Sequence, residues 1–257
     1  MTQPVIIAMW SGPRNLSTAL MRSFTQRRDS VAWDEPFYAA YLNATGLEHP
    51  MREEIIADGI TDPDEVAAQC LEVPAPPKSV FYQKHMTHHM IDGFPLGWAE
   101  QVTNVFLLRA PERVLASYAR KRESVEADDI GFSMQRKLFE LTSTREGGKP
   151  VVIDSDDIRQ QPEPALRALC SAIGIAFDPA MLSWKEGPAP EDGIWGSHWY
   201  DAIWKSTGFA PPEDDLPHLD GELAEIVEEV RPDYEFLREF RLSLPPADEP
   251  QGRANAN

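Results

Sequence analysis

Between Gly12 and Thr18 the chain sets a glycine, a guanidinium and two hydroxyls close together, in the order Gly12-Pro13-Arg14-Asn15-Leu16-Ser17-Thr18. The apolar run Val5–Met9 precedes them, and an amphipathic stretch ending near Arg28 follows. This is the pattern of a buried strand, a tight turn and a helix start. Such a turn aims backbone N–H groups at one point, and the helix dipole adds positive potential there. With Arg14, Ser17 and Thr18 added, the segment reads as a cradle for an anion, most simply a phosphate. A Walker A loop would need a second glycine and a Lys followed by Ser or Thr. Neither is present after Gly12, which counts against an ATP-dependent kinase.

Other residues have types suited to the same site. Arg109 closes the apolar run Val102–Leu108, and Pro111 fits the first turn of a helix after it. A guanidinium fork at a strand end matches phosphate oxygens. Ser117 follows Arg109 by eight residues and faces the same anion if that helix packs back along the strand. Lys84 ends the stretch Ser79–Lys84 and is a second cation for a reacting group. Glu35, in Asp34-Glu35-Pro36-Phe37, is a candidate base, because a dehydrated pocket raises a carboxyl pKa. The rival bases are His85, His88 and His89. If Met86–Met90 is helical, His85 shares a face with His88 and with His89. That spacing also suits zinc, but no Cys or carboxylate at matching spacing supports a metal, and none is assigned. The late stretch Trp195–Phe209 is rich in aromatics. Its Lys205, Ser206, Thr207 and Gly208 are candidate phosphate contacts. Trp199 or Tyr200 could stack on a purine or wall an acceptor pocket.

The elements that must position these residues alternate. Apolar runs at 5–9, 31–33, 79–82, 102–108 and 151–153 are separated by helix-length stretches. This implies an α/β fold, a three-layer parallel sheet with helices on both faces. Ligands bind such sheets beyond the carboxyl ends of the strands. Arg14, Glu35, Lys84 and Arg109 all lie at or just after such an end. A short helix is expected over Pro63–Leu71, another over 124–146 ending at Gly147-Gly148, and a mobile loop over 186–197. Ser155, Asp156 and Asp157 suit a helix start after Val151–Asp154. Leu166, Leu169, Cys170 and Ile173 form a helical core stripe.

These motifs resemble those of the sulfotransferase family. Gly12–Leu20 is similar to the family's 5′-phosphosulfate loop, with Arg14 on the basic position and Ser17 and Thr18 on the two hydroxyl positions. Asn15-Leu16 replaces the usual Ser-Gly, and Ala19 stands where many cytosolic members have Trp. Arg109 and Ser117 match the 3′-phosphate motif, with Ala110 in place of its Asp. The strand ending in Lys84 resembles a family strand whose Lys reaches the reacting group. The histidine two residues beyond that Lys in cytosolic members is Met86 here, and His85 lies one residue away. Glu35 stands where several branches carry an acidic residue that is the base in some. The run from Val151 to Trp184 is similar to the family scaffold, so the resemblance spans residue 4 to about 185. The late R-K-G signature is absent. The resemblance implies a P-loop nucleoside triphosphate hydrolase-like fold. It implies 3′-phosphoadenosine 5′-phosphosulfate (PAPS) as co-substrate, and sulfuryl transfer to a hydroxyl or amine of a small molecule without a metal. A kinase, or a nucleotide-binding protein of the same fold that has lost catalysis, remains the alternative.

Composition narrows the partners. The 257 residues carry 42 acidic and 24 basic side chains, a net charge of −18. That disfavours nucleic acid and anionic membranes, which need a broad basic face, and leaves a small acceptor. No apolar run approaches the ~18–20 residues of a membrane span, and no signal pattern opens the chain. Cys70 and Cys170 sit in apolar helical patterns and read as buried thiols in a cytoplasmic protein. One domain is expected over residues 1–244, with a polar, disordered tail over 245–257. The oligomeric state is left open.

Overall fold

A computed structural model describes residues 4–119, 125–143 and 149–244. Five strands form one parallel sheet in the order β2-β3-β1-β4-β5: β1 (Val5–Ser11), β2 (Ser30–Asp34), β3 (Val80–Met86), β4 (Thr103–Leu108) and β5 (Val151–Asp154). Each grows from one of the five apolar runs. The helices in chain order are α1 (Ser17–Thr25), α2 (Tyr38–Thr45), α3 (Arg52–Asp58), α4 (Pro63–Gln69), α5 (Pro111–Tyr118), α6 (Ala127–Ile130), α7 (Phe132–Thr142), α8 (Ser155–Gln160), α9 (Pro162–Ala172), α10 (Gly196–Trp199), α11 (Asp201–Trp204) and α12 (Gly221–Arg238).

Side-chain alternation along the strands splits the core into two layers. Ile7, Met9, Tyr82, Val105, Leu107 and Ile153 face α1 and α9, where Leu20, Phe24, Leu166, Leu169, Cys170 and Ile173 meet them. Ala8, Trp10, Phe106, Leu108 and Val152 face α4, α5, α7 and α12 on the other side. Helices therefore cover both faces, and the expected stripe on α9 is core. Both cysteines are buried free thiols; burial raises both, Cys170 to about 11.

Four expectations need correction. The helix expected over 124–146 is broken at Gly131, whose φ of +72° ends α6 in the left-handed conformation. A Cβ there would come within 2.4 Å of Thr87 Oγ1, so the break is also a close approach that only glycine allows. Its expected end at Gly147-Gly148 lies outside the described residues, as does the 245–257 tail. The helix after β5 is capped by Asp154, which accepts from Asp156 N at 2.9 Å, rather than by the residues after it. Burial pushes the Asp154 carboxyl up to about 6. Met86–Met90 is not an α-helix. β3 runs on to Met86, and Thr87–His89 is one 3₁₀ turn. The 186–197 segment is tied down instead of loose: Asp192 pairs with Arg22 at 2.6 Å, both side chains buried. Asp192 also accepts from Trp204 Nε1 at 2.9 Å and from Ala189 N at 2.9 Å.

Candidate active site

The strand order puts β1 between β3 and β4, so the loop after β1 sits at the centre of the carboxyl edge. Gly12 opens this loop. A Cβ there would lie 2.4 Å from the Ile130 carbonyl oxygen, so glycine lets α6 close over the turn. Arg14 takes a φ of +55°, a left-handed conformation rare outside glycine. Asn15 braces the turn: its Nδ2 donates to Leu107 O at 2.9 Å, and its Oδ1 accepts from Leu16 N at 2.7 Å. Gln135 of α7 adds a second brace, donating to Leu107 O at 3.0 Å and Trp10 O at 3.3 Å. The first N–H groups of α1, beginning at Ser17, have no carbonyl one turn back to pair with. The loop and the start of this helix border a cavity of about 420 Å³, lined here by Pro13, Arg14, Asn15, Leu16, Ser17 and Thr18.

The cation at the end of β4 joins this loop. Arg109 Nη1 donates to the Arg14 carbonyl, and Arg14 Nε donates to Ser117 Oγ at 3.1 Å. Arg109 and Ser117 line the same cavity. The return of α5 along β4 therefore brings Arg14, Arg109 and Ser117 together, as their spacing implied.

One strand away stands a second charged group. Lys84 is buried at 1% exposure. Its Nζ donates to Asp34 Oδ1 at 2.8 Å, Glu35 Oε1 at 2.5 Å and Tyr200 OH at 2.9 Å. Tyr200 OH in turn donates to Asp34 Oδ2 at 2.6 Å and accepts from Trp195 Nε1 at 3.2 Å. Burial alone would lower the Lys84 pKa, but Asp34 and Glu35 raise it well above the usual lysine range. Lys84 is thus an ammonium with each of its N–H donors engaged. Burial raises the Glu35 carboxyl, against the pull of Lys84. Glu35 has a φ of +43°, a left-handed conformation rare outside glycine. Its second oxygen, Oε2, is 3.9 Å from His89 Nε2. Burial, then His88 and Lys84, drive His89 well below the normal imidazole range, so this contact is not an ion pair.

The histidines divide. His88, His89 and His49 line the cavity beside Tyr38 and Trp199. Tyr38 stacks on His89 at 4.7 Å, and its hydroxyl bonds His49 Nδ1. His85 follows Lys84 in β3 and so faces the opposite side of the sheet. It stacks on Trp10 at 4.5 Å and bonds Gln83 Oε1 at 3.1 Å. Burial, then the Lys84 charge, lowers it to about 3. The strand continuation that aims Lys84 into the cavity places His85 in the far core, away from Lys84, His88 and His89.

The late segment divides as well. Ser206 and Gly208 line the cavity; Lys205 and Thr207 are exposed and do not. Ser206 Oγ accepts from Trp184 Nε1 at 3.0 Å and donates to Ile203 O at 2.7 Å. Trp199 and Tyr200 both line the cavity, and Tyr200 is in addition a hydrogen-bond partner of Lys84 and Asp34. Sequence reasoning passed over Asp34, His49, Arg159 and this role of Tyr200. The only signals for them were the acidic pair at the end of β2 and the aromatic density after Trp195.

Residues 5–239 match a family model described as a sulfotransferase domain. Two Arabidopsis thaliana proteins are similar. "Branched-chain-amino-acid aminotransferase-like protein 1" is 35% identical over 248 residues, 93% of this chain and 42% of that protein. "Branched-chain-amino-acid aminotransferase-like protein 2" is 34% identical over 238 residues, 91% of this chain and 41% of that one. The chain spans less than half the length of these curated relatives. Among solved structures, the sulfotransferase domain from the curacin biosynthetic pathway superposes with a TM-score of 0.53 at 14% identity, covering 95% of this chain and 100% of that one. The sulfotransferase from Alicyclobacillus acidocaldarius gives 0.51 at 15% identity, covering 93% and 96%. These two establish the fold, the P-loop nucleoside triphosphate hydrolase-like sheet of sulfotransferases. With the family model spanning nearly all of the described residues, the chain belongs to the sulfotransferase family.

Proposed function

We propose that this chain moves a sulfuryl group from PAPS to a hydroxyl or amine of a small-molecule acceptor. The observation that carries this reading is the meeting, in one cavity, of a phosphate-type loop with Arg14, Arg109 and Ser117 at one end and Lys84 with Glu35 at the other. The donor end fits a nucleotide carrying two phosphate groups. The unpaired first-turn N–H groups of α1 suit the 5′-phosphosulfate. The Nε atoms of Arg109 and Arg159 are buried without a partner, as expected of groups that wait for an anion.

In this reading Gly12 through Thr18 hold the 5′ end, and Arg109 with Ser117 holds the 3′-phosphate. Ser206 and Gly208 contribute wall, while Lys205 and Thr207 stay at the surface. Glu35 takes the acceptor proton as the acceptor oxygen or nitrogen bonds to sulfur. The bond from sulfur to the 5′-phosphate oxygen breaks, and its electron pair stays on that oxygen. Arg14 and the loop N–H groups stabilise the charge gathering there. Lys84 holds Glu35 in place and its charge favours the same build-up. His85 has no part in this scheme, while His88 and His89 flank the acceptor. The two buried free thiols support a reducing, cytoplasmic setting. Among the described residues no helix is long and apolar enough to cross a membrane.

The test is transfer of labelled sulfate from PAPS across a panel of alcohols, phenols and amines. The expected result is metal-independent transfer to at least one class, lost in Arg14→Ala and Lys84→Met. Phosphoryl transfer from Mg-ATP instead would move the assignment to a kinase. Donor binding without transfer to any acceptor would leave a binding protein.

A further inference from the structure

One carboxylate sits inside the cation cluster at the donor end. Glu213 belongs to the irregular strap between Phe209 and Asp220 that leads into α12. Its Oε1 accepts from Arg109 Nη2 at 2.5 Å and stands 3.6 Å from Arg159 Nη1. Its Oε2 stands 3.6 Å from Arg113 Nε. The three guanidiniums come from the end of β4, the first turn of α5 and the last turn of α8. Two of them also grip the strap backbone: Arg113 Nη2 donates to Asp214 O at 2.6 Å, and Arg159 Nη1 to Pro211 O at 3.4 Å. Asp156, 3.5 Å from Arg113 Nε, is the cluster's second acid.

The pairing is incomplete. The Nε atoms of all three arginines and Glu213 Oε2 are buried with no hydrogen-bond partner. A carboxylate presents two oxygens in one plane, too few for three forks converging from three elements. A phosphate monoester presents three oxygens and carries nearly twice the charge. Arg109 and Arg159 line the same cavity as the phosphate loop and Ser117, so the cluster opens onto the donor site.

We propose that Arg109, Arg113 and Arg159 form one anion site for the 3′-phosphate of the donor, and that Glu213 is its resident occupant, displaced when the phosphate enters. The proposal rests on the donor reading above. A carboxylate and a phosphate dianion repel each other within one set of forks, so the site holds one or the other. The strap then has two positions, with Glu213 docked or released. Docking lowers the apparent affinity for nucleotides that carry a 3′-phosphate and leaves those without it unaffected.

The test is calorimetric titration of the full chain and its variants with adenosine 3′,5′-bisphosphate and, separately, AMP. Glu213→Gln is expected to bind the bisphosphate about tenfold more tightly, the order of one charge-assisted hydrogen bond, and AMP as wild type does. Arg159→Gln is expected to weaken the bisphosphate by a similar factor, again without effect on AMP. If Glu213→Gln does not stay folded with three arginines unpaired, Glu213→Asp keeps the charge but shortens its reach, and is expected to bind the bisphosphate more tightly than wild type. A wild type that prefers the bisphosphate to AMP, with no gain in either Glu213 variant, would overturn the exchange and leave the donor reading intact. No preference for the bisphosphate in any of these proteins would overturn both.

Discussion

The two halves of the cavity are built differently. Gly12–Thr18, Lys84 and Arg109 are placed by the sheet: β1 pairs with β3 and β4 in fixed register, Met9 opposite both Lys84 and Val105. The segment from Asp192 to Asp214 has no such frame. It holds two one-turn helices and a single bridge, Ser183 to Gly208. Side-chain bonds across long chain separations fix it instead: Tyr200 to Asp34, Asp192 to Arg22, Glu213 to Arg109. The sheet edge supplies the charges, and the late segment closes over them and supplies part of their pairing. A site residue whose place follows from strand register is stiff, whereas one held by a few polar bonds can exchange partners.

The largest effect expected is at the sheet edge. Glu35→Gln should cut turnover by about 10²–10⁴-fold, the usual span for a lost general base, with bisphosphate affinity unchanged in calorimetry. The same residue sets a pH dependence. The base works ionised, and burial raises its pKa, so kcat/KM should fall with acidification through a value above that of an ordinary glutamate. Glu35→Gln should lack that limb. A wild-type limb at or below the ordinary glutamate value would show that Glu35 is not the base.

In the late segment the effects should fall on stability. Asp192→Ala leaves buried Arg22 without its counter-charge, and should cost about 3–5 kcal/mol in chemical denaturation. Loss near zero would mean that the segment is not anchored there. Tyr200→Phe removes the hydroxyl between Lys84 and Asp34 and should cost about 1–3 kcal/mol. Its donor affinity should stay as in wild type, because the hydroxyl does not touch the phosphate loop. Smallest is Ser117→Ala at the donor end, which removes one hydrogen bond from Arg14 and, on the proposed donor reading, one contact to the 3′-phosphate. It should weaken bisphosphate binding by about 1 kcal/mol, measured beside AMP, which should be unaffected.

The same contrast explains what could be read from the chain. All five strands were legible because each is an apolar run bounded by turn residues. The meeting of Arg14, Arg109 and Ser117 was legible because it depends only on strand ends and a helix that returns. His85 is hidden because β3 runs on through Met86: as the strand residue after Lys84 it must face the other side of the sheet. The break at Gly131 depends on Thr87 lying against it, a tertiary contact without a local signal. Tyr200, Asp192 and Glu213 were out of reach for the same reason: none of the three lies in a strand or helix whose course would lead it to its partner. Spacing carries no record of such pairs.

The most direct test of the central claim is calorimetric binding of adenosine 3′,5′-bisphosphate without metal, beside AMP and Mg-ATP, in wild type and Arg109→Ala. The account predicts tight binding that needs both the 3′-phosphate and Arg109. Binding that ignores the 3′-phosphate, survives Arg109→Ala or favours Mg-ATP would contradict it.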